Sequence, residues 1–333
     1  MSSDFDVSKG RYWQVGVELV SGCTPCSPGC DHCWSAALAH RFKRDKMNSF
    51  DLNPTQYTNE RGAFDGRVVI HPERLKRFST RQPKVFAIWN DLYHEAVPDD
   101  FIDDVIASIV LSPRHKFLVL TKRPQRMMDY FLSEDRYDYI KESEIYRHAN
   151  YQTDCDDGDQ SDKELYLLSQ YEDGMNSFRR DQPIINIWHG LTICNQQEAD
   201  EKIPIFLQVP GKKFLSIEPC ISPIDLRFCQ WCGAFPVTHN HDCYDDCQPI
   251  DAVILGGETG PGARPLNPDW VRSVRDQCAA GGVPFYFKSW GKHLPEFKEC
   301  FGNEVVFLYP EMLIDIKRLL DGRTHDELPW SKS

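Results

Sequence analysis

The chain lacks any run of about 18 consecutive apolar residues, the length a helix needs to cross a bilayer, so no membrane span and no membrane partner is expected. No leader of the secretory kind is expected either. The opening MSSDFDVSKGRYW is polar and acidic, where a signal peptide would be basic and then apolar. A cytoplasmic location follows as the expectation. Positive charge is scarce too: 38 Lys and Arg face 50 Asp and Glu, a net charge of −12. Proteins that grip many phosphates are usually basic, so composition gives no support to a broad nucleic-acid-binding face. The average hides asymmetry. Acidic residues concentrate at 154–164 and 242–246, basic ones at 41–46, 74–81 and 122–126. A local basic mouth stays open as an arrangement.

Cysteine is not scarce. There are 13 in 333 residues. With no secretion signal expected, they point to a reducing compartment and to metal ligation rather than disulfides. Four of them, Cys23, Cys26, Cys30 and Cys33, fall within the segment SGCTPCSPGCDHCW. An apolar run, 15–20, precedes this loop and an Ala-rich helical pattern follows it. Three thiolates on one short Gly/Pro-rich loop can hold three irons of a [4Fe–4S] cube and leave the fourth open. An open iron is where S-adenosylmethionine (SAM) chelates. Strand, cysteine loop and helix is how a radical SAM core begins. The spacing reads in two registers. Cys26, Cys30 and Cys33 give Cys-x3-Cys-x2-Cys, and Cys23, Cys30 and Cys33 give Cys-x6-Cys-x2-Cys. Zinc competes, because paired Cys-x2-Cys is also its spacing.

Short apolar, β-branched runs recur at 15–20, 85–89, 117–120, 185–190, 214–217, 252–255 and 284–287. Near-continuous apolar strands fit a parallel sheet buried on both faces. They alternate with helical patterns such as 99–111 and 268–280, the latter stopped by Gly281 and Gly282. Repeated βα units follow, and with them an α/β fold. Likeness of the cysteine-loop opening to radical SAM cores implies that it is a partial (β/α)6-type, TIM-like barrel. The predicted barrel spans residues 1–292, with a polar insertion at 131–182, a Cys/His-rich insertion at 226–250 and a C-terminal extension at 293–333.

The strand ends are polar beyond what a core needs. They include Asn-Asp-Leu-Tyr-His (90–94), Thr-Lys-Arg-Pro (121–124), Ser-Ile-Glu-Pro (216–219), Gly-Gly-Glu-Thr-Gly (256–260) and Lys-Ser-Trp-Gly (288–291). In parallel barrels, active-site groups project from the C-terminal strand ends. Capping alone explains a Thr192 or a Ser289. It explains less well the charges of Lys122, Glu218 and Glu258, which call for a shared partner.

The second cysteine group comprises Cys229, Cys232, Cys243 and Cys247, with His239 and His241 between. Cys-x2-Cys-Gly is a zinc-knuckle turn, so Cys229 and Cys232 are two expected ligands of a structural zinc. The other two come from His239, His241, Cys243 and Cys247. A second iron–sulfur cluster is the alternative.

Six segments lie in a telling order: Gly-Cys-Thr then Ser-Pro-Gly-Cys-Asp-His-Cys-Trp (22–34), Asn-Asp-Leu-Tyr-His-Glu (90–95), Leu-Thr-Lys-Arg-Pro (120–124), Ser-Ile-Glu-Pro (216–219), Gly-Gly-Glu-Thr-Gly-Pro-Gly-Ala-Arg-Pro (256–265) and Phe-Tyr-Phe-Lys-Ser-Trp-Gly (285–291). Together they resemble the three-cysteine-motif family of phage and mobile-element proteins, relatives of radical SAM enzymes. The family pattern falls on Cys23, Cys30 and Cys33, with Cys26 standing where an aliphatic residue is usual. Trp34 stands where Tyr is frequent and keeps an aromatic wall near the cluster.

By similarity to radical SAM barrels, Asn90 and Asp91 would receive the SAM amino group. Gly256, Gly257 and Glu258 would let adenine approach backbone. Glu218 and Lys122 would hold ribose hydroxyls and the SAM carboxylate, as donor–acceptor chemistry permits. Arg264 and Lys288 would remain for substrate. The resemblance thus implies an enzyme using a [4Fe–4S] cluster, SAM and an external electron donor to modify a substrate. Phage-type ancestry suggests a nucleobase or nucleotide, as in DNA modification, with a flipped base stacked on Trp or Tyr. The rival expectation is a non-catalytic, metal-stabilised protein that binds nucleic acid or a partner. A metal-dependent hydrolase without SAM is a third.

Overall fold

The computed structural model describes residues 10–42, 57–141, 182–226, 250–295 and 316–331. Its centre is a sheet of seven strands: β1 (Val15–Glu18), β4 (Val85–Trp89), β5 (Lys116–Thr121), β6 (Ile187–Ile193), β7 (Lys212–Ile217), β8 (Ala252–Gly256) and β9 (Phe285–Ser289). They neighbour one another in that order and every pairing is parallel. Two short strands, β2 (Val20–Gly22) and β3 (Val68–Ile70), form a separate antiparallel pair.

Sequential parallel pairing has a consequence. Right-handed crossovers between neighbours carry every connecting helix to the same face. The sheet therefore curls, with helices outside and side chains filling the inside, into a half-barrel. Helices among the described residues include α1 (Trp34–Phe42), α2 (Asp99–Val110), α3 (Pro124–Leu132), α4 (Gln196–Phe206) and α5 (Pro268–Ala280). In α2, Asp99 and Asp100 occupy the first turn, where the helix dipole favours them. Phe101, Ile102, Val105, Ile106, Ile109 and Val110 make its buried stripe. Asn195 and Asn267 cap α4 and α5 through side-chain bonds to Glu198 N and Asp269 N.

Strand alternation splits the core in two. Phe86, Ile88, Phe117, Val119, Leu215 and Val253 face the helices. Val85, Ala87, Leu118, Trp188, Phe214, Ile254 and Tyr286 face the lumen. The N-terminal end of that lumen is plugged by Trp330. Its ring meets Trp188 at 5.0 Å and Phe214 at 5.3 Å, and its Nε1 donates to Tyr12 O at 2.9 Å. The segment carrying Trp330 also bonds along β9, with Phe287 N donating to His325 O and Glu327 N to Phe285 O. That pairing covers an edge which would otherwise be open.

The sheet is a curled half-barrel compatible with the expected partial barrel, and its seven parallel strands fall on the seven apolar runs, one more than the (β/α)6 label counts. The run 15–20 is two strands, not one. The chain turns at Leu19, and Val20–Gly22 leaves the sheet to pair with Val68–Ile70. The head of the expected 131–182 insertion completes α3, and residues 142–181 lie outside the described residues. So do Cys229, Cys232, His239, His241, Cys243 and Cys247, with the zinc expectation that rests on them.

Candidate functional site

The cysteine loop leaves β2 and lies over the C-terminal ends of the sheet. Ser27 caps a tight turn, Pro28–Cys30, by accepting from Gly29 N at 3.1 Å. Cys33 N then donates to Cys30 O at 3.3 Å, and α1 starts at Trp34. Cys23, Cys26, Cys30 and Cys33 all line a cavity of about 250 Å³. The same cavity is lined by Asn90, Asp91, Lys122, Glu218, Gly257, Glu258 and Lys288, which come from the ends of β4, β5, β7, β8 and β9. Trp34, Trp89 and Trp13 form an aromatic wall, meeting edge to face at 5.6 and 5.9 Å. Trp34 is 47% exposed, which leaves its ring free to meet a ligand.

Under the loop sits a buried ion pair. Arg123 Nη1 is 2.8 Å from Asp91 Oδ2, and both side chains are buried. Asp91 also accepts from Thr121 Oγ1 at 2.6 Å and from Lys122 N at 3.1 Å. Arg123 in turn donates to Thr24 O at 3.0 Å and lies 3.9 Å from Cys23 Sγ. The thiols are electrically unequal. Cys30 is pushed down to about 5, first by the hydrogen bond it accepts from Cys26 and then by the charge of Lys122. Lys122 Nζ donates to Cys30 Sγ at 3.4 Å. Donating to Cys30 drives the Cys26 thiol upward. Burial pushes Cys23 up to about 11, against the pull of Arg123.

At the cavity floor, Glu218 Oε2 accepts from Tyr12 OH at 3.0 Å and Ser216 Oγ at 3.1 Å. Lys288 Nζ lies 2.9 Å from Glu218 Oε1 and sits over the rings of Tyr12 and Trp13 at 5.7 and 5.6 Å. Burial, then the Glu218 charge, holds the Tyr12 hydroxyl well above its ordinary range.

Several expected ligand groups are already engaged. Asn90, at φ 59°, donates to Val20 O and Glu18 Oε1 and accepts from Ser35 Oγ, so its amide braces the loop's two flanks. Asp91 is spent on Arg123, Thr121 and backbone. Glu258, only 4% exposed, is gripped by Arg264 through Nε at 3.0 Å and Nη2 at 2.5 Å. Arg264 and Gly256 stand behind the cavity lining rather than in it. Lys122, Glu218 and Lys288 are the expected residues whose charged ends face the cavity. Sequence reasoning missed Arg123, Tyr12 and Trp13. Arg123 was inside a segment already singled out, next to Lys122. The Tyr12–Trp13 pair gave no periodic signal because it precedes the first strand.

Among the described residues, no three His, Cys, Asp or Glu side chains converge as a single metal ion requires. A cluster makes a different demand, since each cysteine of a [4Fe–4S] centre holds its own iron and the thiols need not meet at a point. Loop cysteines spread around one cavity, one of them with its thiol pushed down beside a lysine, offer the residue type that such a centre takes.

Fold and site together define a parallel α/β half-barrel with a cysteine-lined cavity at its C-terminal face. A family model described as "Protein of unknown function (DUF5131)" matches residues 8–329, and the chain belongs to that family. No curated protein and no solved structure matches it.

Proposed function

We propose that the protein is a radical SAM iron–sulfur enzyme. The observation that carries this reading is the shared cavity: four loop cysteines and the charged ends of Lys122, Glu218 and Lys288 line one space at the C-terminal face of a parallel half-barrel. Cys30, Cys33 and one of Cys23 and Cys26 would hold the cluster. Cluster and SAM, when bound, supply one-electron chemistry that removes hydrogen from an unactivated carbon, at the expense of an external electron donor. The chain's own groups do the rest. Lys122 offsets thiolate charge at Cys30 and offers an ammonium to a ligand carboxylate. Glu218, held by Tyr12 and Ser216, offers a carboxylate to hydroxyls or an amine. The Trp330 plug closes the lumen below and keeps water out of the cavity from that side. Trp34 at the mouth provides a face for a planar substrate ring, which suits a nucleobase or nucleotide.

The test is anaerobic reconstitution with iron and sulfide. A broad absorbance near about 400 nm that dithionite bleaches is the expected result for a [4Fe–4S] centre. Incubation with SAM and dithionite should then release 5′-deoxyadenosine. A colourless protein that retains only zinc, and yields no deoxyadenosine, would remove this reading.

A further inference from the structure

The Gly-Gly-Glu-Thr-Gly-Pro-Gly-Ala-Arg stretch, 256–264, leans on the cysteine loop. A Cβ at Gly260 would collide with the His32 carbonyl oxygen, and one at Gly262 would come within 2.9 Å of the His32 ring. Gly262 also has φ +76°, which L side chains rarely adopt. The two loops therefore approach backbone to backbone. On its other side the stretch is clamped to the end of β9. A Cβ at Gly257 would strike Trp290 O, and Lys292 N donates to Glu258 O at 2.8 Å.

Arg264 crosses the junction. One edge of its guanidinium grips Glu258, with Nε at 3.0 Å from Oε2 and Nη2 at 2.5 Å from Oε1. Arg264 N also donates to Glu258 Oε2 at 2.7 Å. The same Nη2 donates to Pro28 O at 2.9 Å, and Nη1 lies 3.6 Å from Asp31 Oδ2. Pro28 opens the turn that delivers Cys30, and Asp31 follows it.

We infer that Arg264 is a positioning residue for the cysteine loop, using the buried Glu258 as a fixed post and holding the Pro28–Asp31 turn against the C-terminal face of the sheet. A planar fork is needed for that geometry; a lysine would keep the charge but not the two-sided grip. The consequence for metal rests on the iron–sulfur reading; the consequence for the loop does not.

The experiment compares wild type with Arg264→Lys, Arg264→Met and Glu258→Gln, each as the full chain. In metal-free protein, the alkylation rates of Cys30 and Cys33 by iodoacetamide are mapped by mass spectrometry. Loosening of the turn should raise them about fivefold in Arg264→Met, the factor expected for losing one hydrogen bond, with Arg264→Lys in between. The buried Cys194, Cys220 and Cys278 serve as the internal gauge of folding and should stay unlabelled. After anaerobic reconstitution, iron per chain should fall and the electron paramagnetic resonance signal of the reduced protein should broaden in the same order. Wild-type labelling rates, iron content and signal in the variants that keep the buried cysteines protected would overturn the inference. Arg264→Lys and Glu258→Gln retain that power should Arg264→Met not fold. A wild type that takes up no iron, with labelling raised as expected, would remove the iron–sulfur reading and leave the positioning role standing.

Discussion

The two ends of the half-barrel are made from the same strands, yet they are opposite in kind. Along the lumen-facing positions, β5 runs Leu118, Leu120, then Lys122 at its exit. β6 runs Trp188, Gly190, Thr192; β7 runs Phe214, Ser216, then Glu218. Each series starts large and apolar and ends small or polar. The N-terminal end is filled by Trp188, Phe214 and the Trp330 plug, while the C-terminal end holds open a cavity lined with cysteines and charge. This division sets a packed plug at one end and the proposed site at the other, as in parallel barrels, where the C-terminal face carries the chemistry. Substitutions should therefore separate: at the bottom they should move the folding equilibrium, at the top they should move binding.

The largest effect is expected from Trp330→Ala. The residue is 3% exposed and anchors the plug, so its truncation should cost about 3–5 kcal/mol in a urea titration. Iron per folded molecule after reconstitution should not change. Loss of iron without loss of stability would break the division at its base.

His189 gives a pH-resolved test of the same end. It is buried on β6, and burial, aided by the positive charge of Lys213, pushes it down to about 3. In the unfolded chain a histidine takes its proton near about 6.5. Between those values the unfolded state binds the extra proton. His189 therefore contributes stability above about pH 6.5, and that contribution drains away as pH falls toward 3, by at most about 1.4 kcal/mol per pH unit. His189→Gln should flatten the acid limb of the stability curve. An unchanged slope would mean that the histidine titrates alike in both states.

How much of this was legible in the chain differs between the two ends as well. The central strands announced themselves because burial on both faces leaves continuous apolar runs, and 85–89 and 252–255 coincide with β4 and most of β8. The break at Leu19 was illegible. Leu19 and Val20 are as apolar as the strand before them, and what parts them is pairing with Val68–Ile70, far along the chain. At the site, residue types revealed which strand ends carry charge. They did not reveal which charges are consumed. Asp91 and Glu258 look like ligand groups in sequence, and only the approach of Arg123 and Arg264 shows both carboxylates committed to holding loops. Arginine forks act across the fold, and no local spacing records them.

Glu218→Gln sharpens the comparison from the upper end. The change keeps the volume and removes one charge from a pair in which Lys288 is 28% exposed. An ion pair with that much solvent access is worth about 1 kcal/mol or less to folding. A ligand hydroxyl or amine bonded to the carboxylate is worth more, so SAM affinity measured anaerobically by calorimetry should fall about tenfold or further. A large loss of stability with unchanged affinity would make Glu218 a structural group like Glu258.

The smallest effect on folding, and the sharpest on the metal, concerns the two cysteines that the spacing could not rank. Cys26 is exposed, and Cys23 is half-buried against Arg123. Cys26→Ala should change stability by no more than about 0.5 kcal/mol, as expected at a surface position. Cys26 leans on Cys30 through its thiol hydrogen bond, so these two sulfurs are close neighbours. Irons of a cube that each take their own cysteine are poorly served by two sulfurs hydrogen-bonded to each other, and the Cys23 sulfur is engaged instead by Thr24 O and the Arg123 guanidinium. Cys26→Ala is therefore expected to keep wild-type iron, and Cys23→Ala to lose it, at nearly equal stability. The reverse pattern would assign the Cys26 register. Full iron in both variants would show that no third thiolate from this loop is required.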